Sequence, residues 1–543
     1  MLSNEQSCLG CEFGNYTDCL SRECVIADGN NRIIEVYNKM MPGPSIEVCE
    51  GDQIIVDFTN NLLDVDSTIH WHGMHQRGTQ FMDGISFVSH CAIIPRTTFR
   101  YSFNASQVGT HWYHSHSSVQ RSNGAYGALI IRRPTFQRTF DLSEHIVIIN
   151  DWFKDLPITH LYKQVRNKKI YTDLISSILV NGFGSTVNNT IPPKRFFVKQ
   201  GFRYRFRIIH AGGETCPIKI NIDNHSFYVV STDGNDIIPI LTDSVSISNG
   251  ERFDIVVETN QRISSYAIRF TGSILCSFSA VAALVYDGAK TATVSYEYDA
   301  LNPDFVGVAN PNMPRKAPNV YSYTDLRSTT RIPRDLTGSP DFQYYVAFKV
   351  EPLGYNTTSG FNSTGIISAH FNNIVMEIPS TPLLLNPNPS NVCSSKDSPN
   401  CDKDLNICEC VHIVEFPYNG LIEVVYVDEG QGTTLVHSMH LHGYHFYVIG
   451  QDKLGARTTA EQVKELDRKG LLYRNFNRPI IKDTVAVADG GYTIVRFRAD
   501  NPGFWLMHCH VDFHSVLGMM MVFKTGDLNV PIPHNFPTCG NYP

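Results

Sequence analysis

Residues 202–208 read Phe-Arg-Tyr-Arg-Phe-Arg-Ile, so that apolar and basic side chains alternate along the chain. Alternation with a period of two places the apolar side chains on one face of a β-strand and the charged ones on the other. Similar β-rich runs occur at 54–58, 422–427 and 492–497, and no long stretch keeps the period of an amphipathic helix. The sequence therefore predicts an all-β fold of sandwiches or barrels.

Two breaks divide the 543 residues into three parts of ordinary domain size. One lies near residue 133, and the other is the Pro- and Asn-rich stretch 302–319. We expect a Cys-rich N-terminal extension at 1–24, followed by domains at 25–135, 136–310 and 311–543, the last with a loop-like insertion near 386–410.

Composition restricts the classes of protein to which the chain can belong. Hydrophobic residues make up 42% of the chain and charged residues 18%, which excludes disorder, collagen and coiled coil. Apolar runs such as 128–131 and 519–523 are far shorter than the ~18 residues needed to cross a bilayer, so we expect no membrane span. With 45 basic and 52 acidic residues, a net charge of -7 and no basic stripe, nucleic acid is not an expected partner.

Cysteines and glycosylation sequons indicate an oxidising compartment. Fourteen cysteines are many for a reducing cytosol, so we expect disulfide bonds and an extracellular, secreted protein. The first residues lack the charged and apolar regions of a signal peptide, and we expect that one has been removed. The candidate glycosylation sites are the sequons that begin at Asn15, Asn104, Asn188, Asn224, Asn356 and Asn362.

Pairs of histidines recur in the first and third parts of the chain. Residues 70–73, His-Trp-His-Gly, are echoed by residues 440–443, His-Leu-His-Gly. Residues 114–116, His-Ser-His, are echoed by residues 508–510, His-Cys-His. The first and third parts therefore look like copies of one β domain that supply two His-x-His units each, whereas the middle part has none.

A cysteine lies inside the last of these units. In a strand, His508 and His510 point to one face and Cys509 points to the other. A thiolate with two imidazoles and a thioether is the ligand set of a blue electron-transfer copper, and imidazoles alone also suit copper. One such set can be completed by Cys509, His514, His437 and Met519. Eight more imidazoles, enough for three more coppers, are those of His70, His72, His114, His116, His440, His442, His508 and His510.

These patterns resemble the four signatures of the multicopper oxidase family: His-x-His-Gly, His-x-His, His-x-x-His-x-His, and His-Cys-His-x-x-x-His with a residue ten after the cysteine. All four occur here in that order, and the resemblance covers nearly the whole chain. It implies three cupredoxin-like Greek-key β-sandwich or barrel domains and four copper ions. Stretches 41–52, 82–84 and 109–116 also look like those of secreted arthropod laccases.

The resemblance implies a role for each matching residue. The type 1 copper would be held by His437, Cys509, His514 and, axially, Met519; the type 2 copper by His70 and His440; and the type 3 pair by His72, His114, His116, His442, His508 and His510. Asp83 and Asp512 match positions beside the type 2 and type 3 coppers, and the resemblance assigns them proton delivery or the orientation of ligands.

The function implied by the resemblance is that of an extracellular laccase, which oxidises diphenols and aromatic amines by one-electron steps. Reduction of dioxygen to two waters takes four electrons and four protons, which matches four coppers. An electron would enter beside His514 and leave Cys509 through the adjacent His508 and His510. The expected partners are small phenolic or aromatic amine reductants and dioxygen, and we expect a monomer.

Two alternatives stay open at the level of sequence. The first is a ferroxidase or ascorbate oxidase of the same family. A ferroxidase would need carboxylates close to the type 1 copper, and Asp428 and Glu429 lie near His437 in the sequence. The second is a non-catalytic copper-binding relative, against which the complete set of ligand positions argues.

Overall fold

The computed structural model describes residues 2–6, 25–133, 140–167, 175–186, 188–273, 276, 278–290, 294, 307–311, 314, 317–353, 366–393, 401–402, 406–430, 435–526, 531–534 and 536–539. Most of the expected Cys-rich extension, part of the expected insertion, and the sequons at Asn15, Asn356 and Asn362 lie outside these residues. Within them β-strands dominate and helices are few and short, which confirms the all-β prediction.

The first part of the chain forms three small sheets, with strand orders β3-β8-β7-β5, β4-β6 and β1-β2. Its strands are β1 (Leu2–Gln6), β2 (Ile33–Tyr37), β3 (Gly43–Cys49), β4 (Gln53–Thr59), β5 (His70–His72), β6 (Thr98–Asn104), β7 (Gly109–His114) and β8 (Tyr126–Arg132). Strands β5 and β7 are antiparallel neighbours, and His70 lies opposite His114. This register brings the two His-x-His units of the first part together at one sheet edge.

The middle part forms a six-stranded sheet, β10-β9-β12-β17-β14-β15, and a seven-stranded sheet, β11-β19-β18-β13-β16-β20-β21. Its strands are β9 (His145–Phe153), β10 (Ile175–Val180), β11 (Arg195–Val198), β12 (Arg203–His210), β13 (Ile218–Ile222), β14 (Phe227–Thr232), β15 (Asn235–Thr242), β16 (Ser244–Ile247), β17 (Arg252–Glu258), β18 (Ser265–Gly272), β19 (Ser279–Tyr286), β20 (Val308–Ala309) and β21 (Val320–Tyr321). The run 202–208 forms most of β12, as its alternation predicts. Strand β21 lies beyond residue 310, and the domain boundaries stay a prediction.

The third part forms a nine-stranded sheet, β25-β26-β24-β23-β22-β28-β33-β30-β31, and a five-stranded sheet, β27-β35-β34-β29-β32. Its strands are β22 (Phe342–Leu353), β23 (Ile366–Phe371), β24 (Ile374–Met376), β25 (Cys401–Asp402), β26 (Ile407–Cys410), β27 (Ile413–Phe416), β28 (Leu421–Asp428), β29 (Val436–Leu441), β30 (Phe446–Lys453), β31 (Ile481–Lys482), β32 (Thr484–Ala488), β33 (Gly491–Arg498), β34 (Gly503–Cys509) and β35 (Met520–Thr525). His440 on β29 lies opposite His508 on β34. The third part therefore repeats the pairing of His-x-His units seen in the first.

Three α-helices of the described chain connect these strands: α1 (Pro157–Asn167), α2 (Ala460–Arg468) and α3 (Asp512–Val516). Short 3-10 helices span Gln80–Met82, Arg121–Asn123 and Arg334–Leu336. None of the helices among the described residues is both long enough and apolar enough to cross a membrane. Helix α3 matters most for the site, because it follows directly on the His-Cys-His unit and returns the chain to β35.

Disulfide bonds are present, as the number of cysteines predicted. The described pairs are Cys91–Cys539, Cys216–Cys276, Cys393–Cys410 and Cys401–Cys408. Cys49, at the end of β3, is free and exposed, whereas Cys509 is free and buried. Cys509 is therefore available as a ligand, in contrast to the cysteines of these four pairs.

Candidate metal centre

Eight histidines converge where the sheets of the first and third parts meet. They are His70, His72, His114, His116, His440, His442, His508 and His510, and all are buried except the partly buried His116. Four come from β5, β7 and the residues that follow β7, and four from β29, β34 and the residues that follow them. We call this group the eight-histidine centre.

Close contacts link the rings of the centre into two groups of three and one pair, and further contacts join these groups, because His70 also stacks on His442 and His72 on His440, each with centroids 3.8 Å apart. In the first group, His508 Nε2 lies 3.3 Å from Nε2 of both His116 and His442, and the three donor nitrogens lie within 4.8 Å of one another. The pair is His70 and His440, whose Nε2 atoms are 3.4 Å apart. Each set joins histidines of the first part to histidines of the third.

The remaining three rings form the second group. The ring centroids of His72 and His114 are 5.8 Å apart. The ring centroid of His510 lies 5.1 Å from that of His72 and 5.4 Å from that of His114. The structure thus gathers the eight predicted type 2 and type 3 ligands at one place, where they can be assigned to sets of three, three and two. Three neighbouring metal ions can be held by such sets, because imidazole nitrogens are the donors that copper prefers.

Hydrogen bonds fix which nitrogen of most rings carries a proton. The Nδ1–H groups of four rings donate to backbone carbonyls at 2.8–2.9 Å: His70 to Asp83, His114 to Ser115, His440 to Asp483 and His508 to Cys509. Each of these rings therefore keeps the lone pair of its Nε2 for a ligand. His72 is reversed, since its Nε2 lies 3.0 Å from Asp483 Oδ1 and its Nδ1 has no hydrogen-bond partner among the described residues.

Burial keeps these rings in the form that binds metals. Burial, together with the neighbouring imidazole of His70, lowers the pKa of His116 to about 3. Burial also lowers the pKa of His440 to about 3. The rings of His116 and His440 are therefore neutral at neutral pH, and only neutral imidazole has the lone pair that a metal ion needs.

The predicted mononuclear set lies on the other face of β34. Cys509 Sγ is 3.7 Å from His514 Nδ1, and the rings of His437 and His514 have centroids 5.0 Å apart. Met519 is completely buried, and its carbonyl accepts a hydrogen bond from Cys509 N at 3.1 Å. Because α3 returns the chain to β35, Met519 comes back beside Cys509, and the structure gathers all four residues.

Copper fits these two places by the chemistry of their donors. His114 Nε2 and His437 Nε2 are buried and have no hydrogen-bond partner among the described residues. Buried polar atoms without a partner are costly, and a metal ion would satisfy them. Burial raises the pKa of the Cys509 thiol to about 12, so a bound metal ion is needed to make the thiolate at neutral pH.

Asp83 and Asp512 both lie beside the eight-histidine centre. Asp83 Oδ2 accepts a hydrogen bond from His442 Nδ1 at 2.9 Å, and its backbone carbonyl accepts the one from His70. Asp512 accepts hydrogen bonds from the guanidinium of Arg121 and from the hydroxyl of Ser122. Burial raises the pKa of Asp512, although Arg121 opposes this shift.

Several residues at the centre were not predicted from the sequence. Asp483 contacts His72, and Arg252 of the middle part forms a buried ion pair with Asp483. Burial alone would raise the pKa of Asp483. The charge of Arg252 and the other neighbours together outweigh burial, so the pKa lies well below its usual range. Glu214 lies in the middle part and interacts electrostatically with His437. Single charged residues carry no spacing signal, so no sequence pattern pointed to these three.

Comparison with known proteins agrees with this arrangement. Residues 19–135, 143–298 and 379–529 match three family models, each described as multicopper oxidase. Laccase-1 of Cryptococcus neoformans var. neoformans serotype D is 32% identical over 531 residues, which cover 93% of this chain and 79% of that protein. Laccase-2 of Botryotinia fuckeliana is 29% identical over 534 residues, which cover 95% of this chain and 83% of that protein.

A solved structure shows the same fold. The crystal structure of Fet3p, a multicopper oxidase that functions in iron import, superposes with a TM-score of 0.74 at 24% identity and covers 96% of this chain and 89% of that one. The fold prediction of cupredoxin-like domains is confirmed by this likeness. The chain belongs to the multicopper oxidase family, and its cofactors are four copper ions.

Proposed function

We propose that this chain is a laccase, which couples the one-electron oxidation of diphenols and aromatic amines to the four-electron reduction of dioxygen to water. The observation that carries the proposal is the position of Cys509. It lies in the mononuclear set and is bonded directly to His508 and His510 of the eight-histidine centre. The similarity to curated laccases over more than nine tenths of the chain supports it.

We assign the ligands to the four coppers from the grouping of the rings. The type 1 copper takes His437, Cys509, His514 and Met519; the type 2 copper takes His70 and His440; one type 3 copper takes His116, His442 and His508; and the other takes His72, His114 and His510. Bound copper supplies one-electron redox chemistry and the binding of dioxygen. The chain itself supplies the path between the two sites, since the Cys509 carbonyl accepts a hydrogen bond from His508 Nδ1.

Two carboxylates serve the centre in different ways. Asp512 is buried, and Ser122 and Arg121 hold its two oxygens, so its carboxyl group is fixed beside the loop that carries His510. We assign it the delivery of protons for dioxygen reduction. Asp83 orients His70 and His442, because its carbonyl and its carboxylate hold the Nδ1–H groups of these two rings.

The surroundings of His514 suit an organic donor. Helix α3 packs against β23, and Phe513 packs against Phe153 with ring centroids 5.3 Å apart, so apolar contacts hold the helix that carries His514. Glu214 has one carboxylate oxygen without a hydrogen-bond partner among the described residues, and burial raises its pKa to about 7. A phenol loses a proton when it is oxidised, and we propose Glu214 as the acceptor of that proton.

The carboxylates that favoured a ferroxidase, those of Asp428 and Glu429, accept hydrogen bonds from other groups of the protein. Asp428 is buried and accepts hydrogen bonds from His437 Nδ1 at 2.8 Å and from Gly430 N at 2.9 Å. Glu429 accepts a hydrogen bond from Ala460 N at 3.2 Å, at the start of α2. Asp428 is thus buried against His437, and Glu429 is bonded to the start of α2, which supports a phenolic donor over ferrous iron.

Oxygen uptake by the copper-loaded protein tests the proposal. Hydroquinone, a catechol, ascorbate and ferrous iron are compared at the same concentration, with Cys509→Ser as a control that lacks the type 1 thiolate. We expect fast uptake with the two diphenols, little uptake with iron or ascorbate, and none with the control. Preference for iron or ascorbate would transfer the function to a ferroxidase or an ascorbate oxidase, and no uptake by a fully loaded protein would mean a non-catalytic relative.

We also propose that the protein is a secreted, monomeric glycoprotein. Three sequons lie among the described residues, and Asn104, Asn188 and Asn224 are all exposed. The disulfide bonds fit an oxidising compartment. Treatment of the secreted protein with a glycosidase should lower its mass, and an unchanged mass would contradict glycan attachment.

A further inference from the structure

The middle part of the chain contributes no His-x-His unit, yet it reaches the eight-histidine centre through a buried ionic network. Asp233, Glu251 and Arg252 of the middle part meet Lys482 and Asp483 of the third part, and each of these residues is at most 1% exposed. Charged groups are almost never buried to this degree unless they are paired, so these five residues must compensate one another's charges.

Arg252 holds Asp483 by both carboxylate oxygens. Its Nη1 donates to Asp483 Oδ1 at 2.6 Å, and its Nη2 donates to Oδ2. The backbone of the same segment is held as well, because Asp233 Oδ2 accepts hydrogen bonds from the amides of Asp483 and Thr484 at 3.2 and 3.1 Å. The orientation of the Asp483 carboxylate is therefore fixed from the middle part, by a planar fork that matches it.

Asp483 and Thr484 in turn hold two imidazoles. Asp483 Oδ1 accepts a hydrogen bond from His72 Nε2 at 3.0 Å, and the Asp483 carbonyl accepts one from His440 Nδ1 at 2.9 Å. The hydroxyl oxygen of Thr484 lies 3.1 Å from each of these two nitrogens. The rings of His72 and His440 are stacked, with centroids 3.8 Å apart, so one carboxylate and one hydroxyl set the orientation of both.

We propose that Arg252 is a positioning residue of the eight-histidine centre, which acts through Asp483 and Thr484 to orient the metal-binding nitrogens of His72 and His440. The inference rests on the proposed ligand assignment, in which these two histidines belong to different coppers. It gives the middle part a direct role in copper binding. His440 is one of only two histidines that we assign to the type 2 copper, so this copper depends most on the support.

The balance of charge favours the same role. The five-residue network has three carboxylates and two cationic groups, so it carries one excess negative charge beside the place where copper ions add positive charge. Removal of Arg252 would leave the Asp483 carboxylate without its bidentate partner and free to turn away from His72. Lysine would restore the charge but not the fork, so it should restore copper binding only in part.

Competition between the copper-loaded protein and a chelator tests the inference. Arg252→Met is compared with Arg252→Lys, and Arg205→Met serves as the matched control. Arg205 is also buried and paired with a carboxylate, since its Nε donates to Asp254 Oδ2 at 2.9 Å, but it contacts no histidine of the centre. Copper content, the type 2 resonance in electron paramagnetic resonance spectra, and the blue absorption of the type 1 site are measured together.

We expect Arg252→Met to lose about one copper per chain and its type 2 signal at a chelator concentration 10–100-fold lower than the wild type needs. Arg252→Lys should lose copper at a chelator concentration between those of Arg252→Met and the wild type. Arg205→Met should bind copper like the wild type, and all three variants should stay blue. If Arg252→Met does not fold, Thr484→Val removes the hydroxyl contacts to both imidazoles and should show the same loss.

Three results would overturn the inference. Arg252→Met could keep four coppers and an unchanged type 2 signal. Arg205→Met could lose copper equally, in which case the loss follows from the removal of any buried, paired arginine of the middle part. A wild-type protein that holds no type 2 copper would overturn the ligand assignment and this inference together, and so be distinguished from the first two.

Discussion

Replacement of Asp512 by asparagine separates proton delivery from electron entry. The carboxylate accepts hydrogen bonds from Arg121 Nη2, Ser122 Oγ and Ser122 N, the last at 3.2 Å. Asparagine offers one acceptor oxygen, so its amide group must face either the guanidinium or the Ser122 amide, both of which are donors. At least one hydrogen bond to a charged group is lost, at a cost of about 2 kcal/mol in the free energy of unfolding.

The expected rates follow from the role of the carboxyl group. A general acid contributes about 10²–10⁴ to the rate of proton transfer, so we expect reoxidation of the reduced Asn variant by dioxygen to slow by at least about 100-fold. Burial raises the pKa of Asp512, so its protonated form persists to higher pH than that of a free aspartic acid. The wild-type reoxidation rate should therefore fall as the pH rises through this pKa, and the Asn variant should lose that dependence.

Stopped-flow absorption measures the two half-reactions separately. Hydroquinone is mixed with the oxidised protein without oxygen to follow bleaching of the blue band, and dioxygen is then mixed with the reduced protein to follow its return. Ser122→Ala is the control, since it loses the hydroxyl bond but keeps the carboxyl group, and it should be less stable without slow reoxidation. Equal slowing of both half-reactions in Asp512→Asn, or of neither, would refute the reasoning.

The type 1 thiolate, Glu214 and a disulfide bond of the middle part each give a further prediction. Cys509→Ser should abolish the intense blue absorption while about three coppers stay bound, and a blue variant would contradict the type 1 assignment. The KM for hydroquinone should rise as the pH falls below about 7, because the Glu214 carboxylate becomes protonated. Glu214→Gln should raise KM and flatten this pH profile. An unchanged profile would exclude Glu214 as the acceptor of the phenol proton. Loss of the Cys216–Cys276 disulfide, which spans 60 residues, should lower the free energy of unfolding by about 4 kcal/mol in the double Ala variant, and equal thermal stability would contradict this value.

The part of the site that was predictable from the sequence is the part that depends on local spacing. Histidines two residues apart on a strand share a face, and a cysteine between them takes the other face, so His508, Cys509 and His510 were readable as two sets of ligands. The strand pairing that places His440 opposite His508 repeats the pairing in the first part, which agrees with the internal repeat seen in the sequence.

The part that was not predictable depends on distant contacts and on competition between partners. Arg252 and Asp483 are 231 residues apart, and nothing in the sequence around either one shows that they meet in the interior. Asp428 and Glu429 lie near His437 in the sequence, which favoured an iron site. In the structure, however, Asp428 accepts a hydrogen bond from His437 and Glu429 accepts one from the start of a helix. Such engagement is decided by tertiary packing, which a sequence pattern does not record.

The division of ligands between the two ends of the chain sets an order of biosynthesis. The residues that we assign to the type 1 copper lie between His437 and Met519, within the third part, whereas the eight-histidine centre draws its histidines from 70–116 and from 440–510. Domains fold largely as units as the ribosome releases them, the N-terminal one first. If the ligand assignment holds, we expect full metallation only at the end of maturation, after the third part has emerged and docked against the first, so that copper must be supplied to the nearly finished protein.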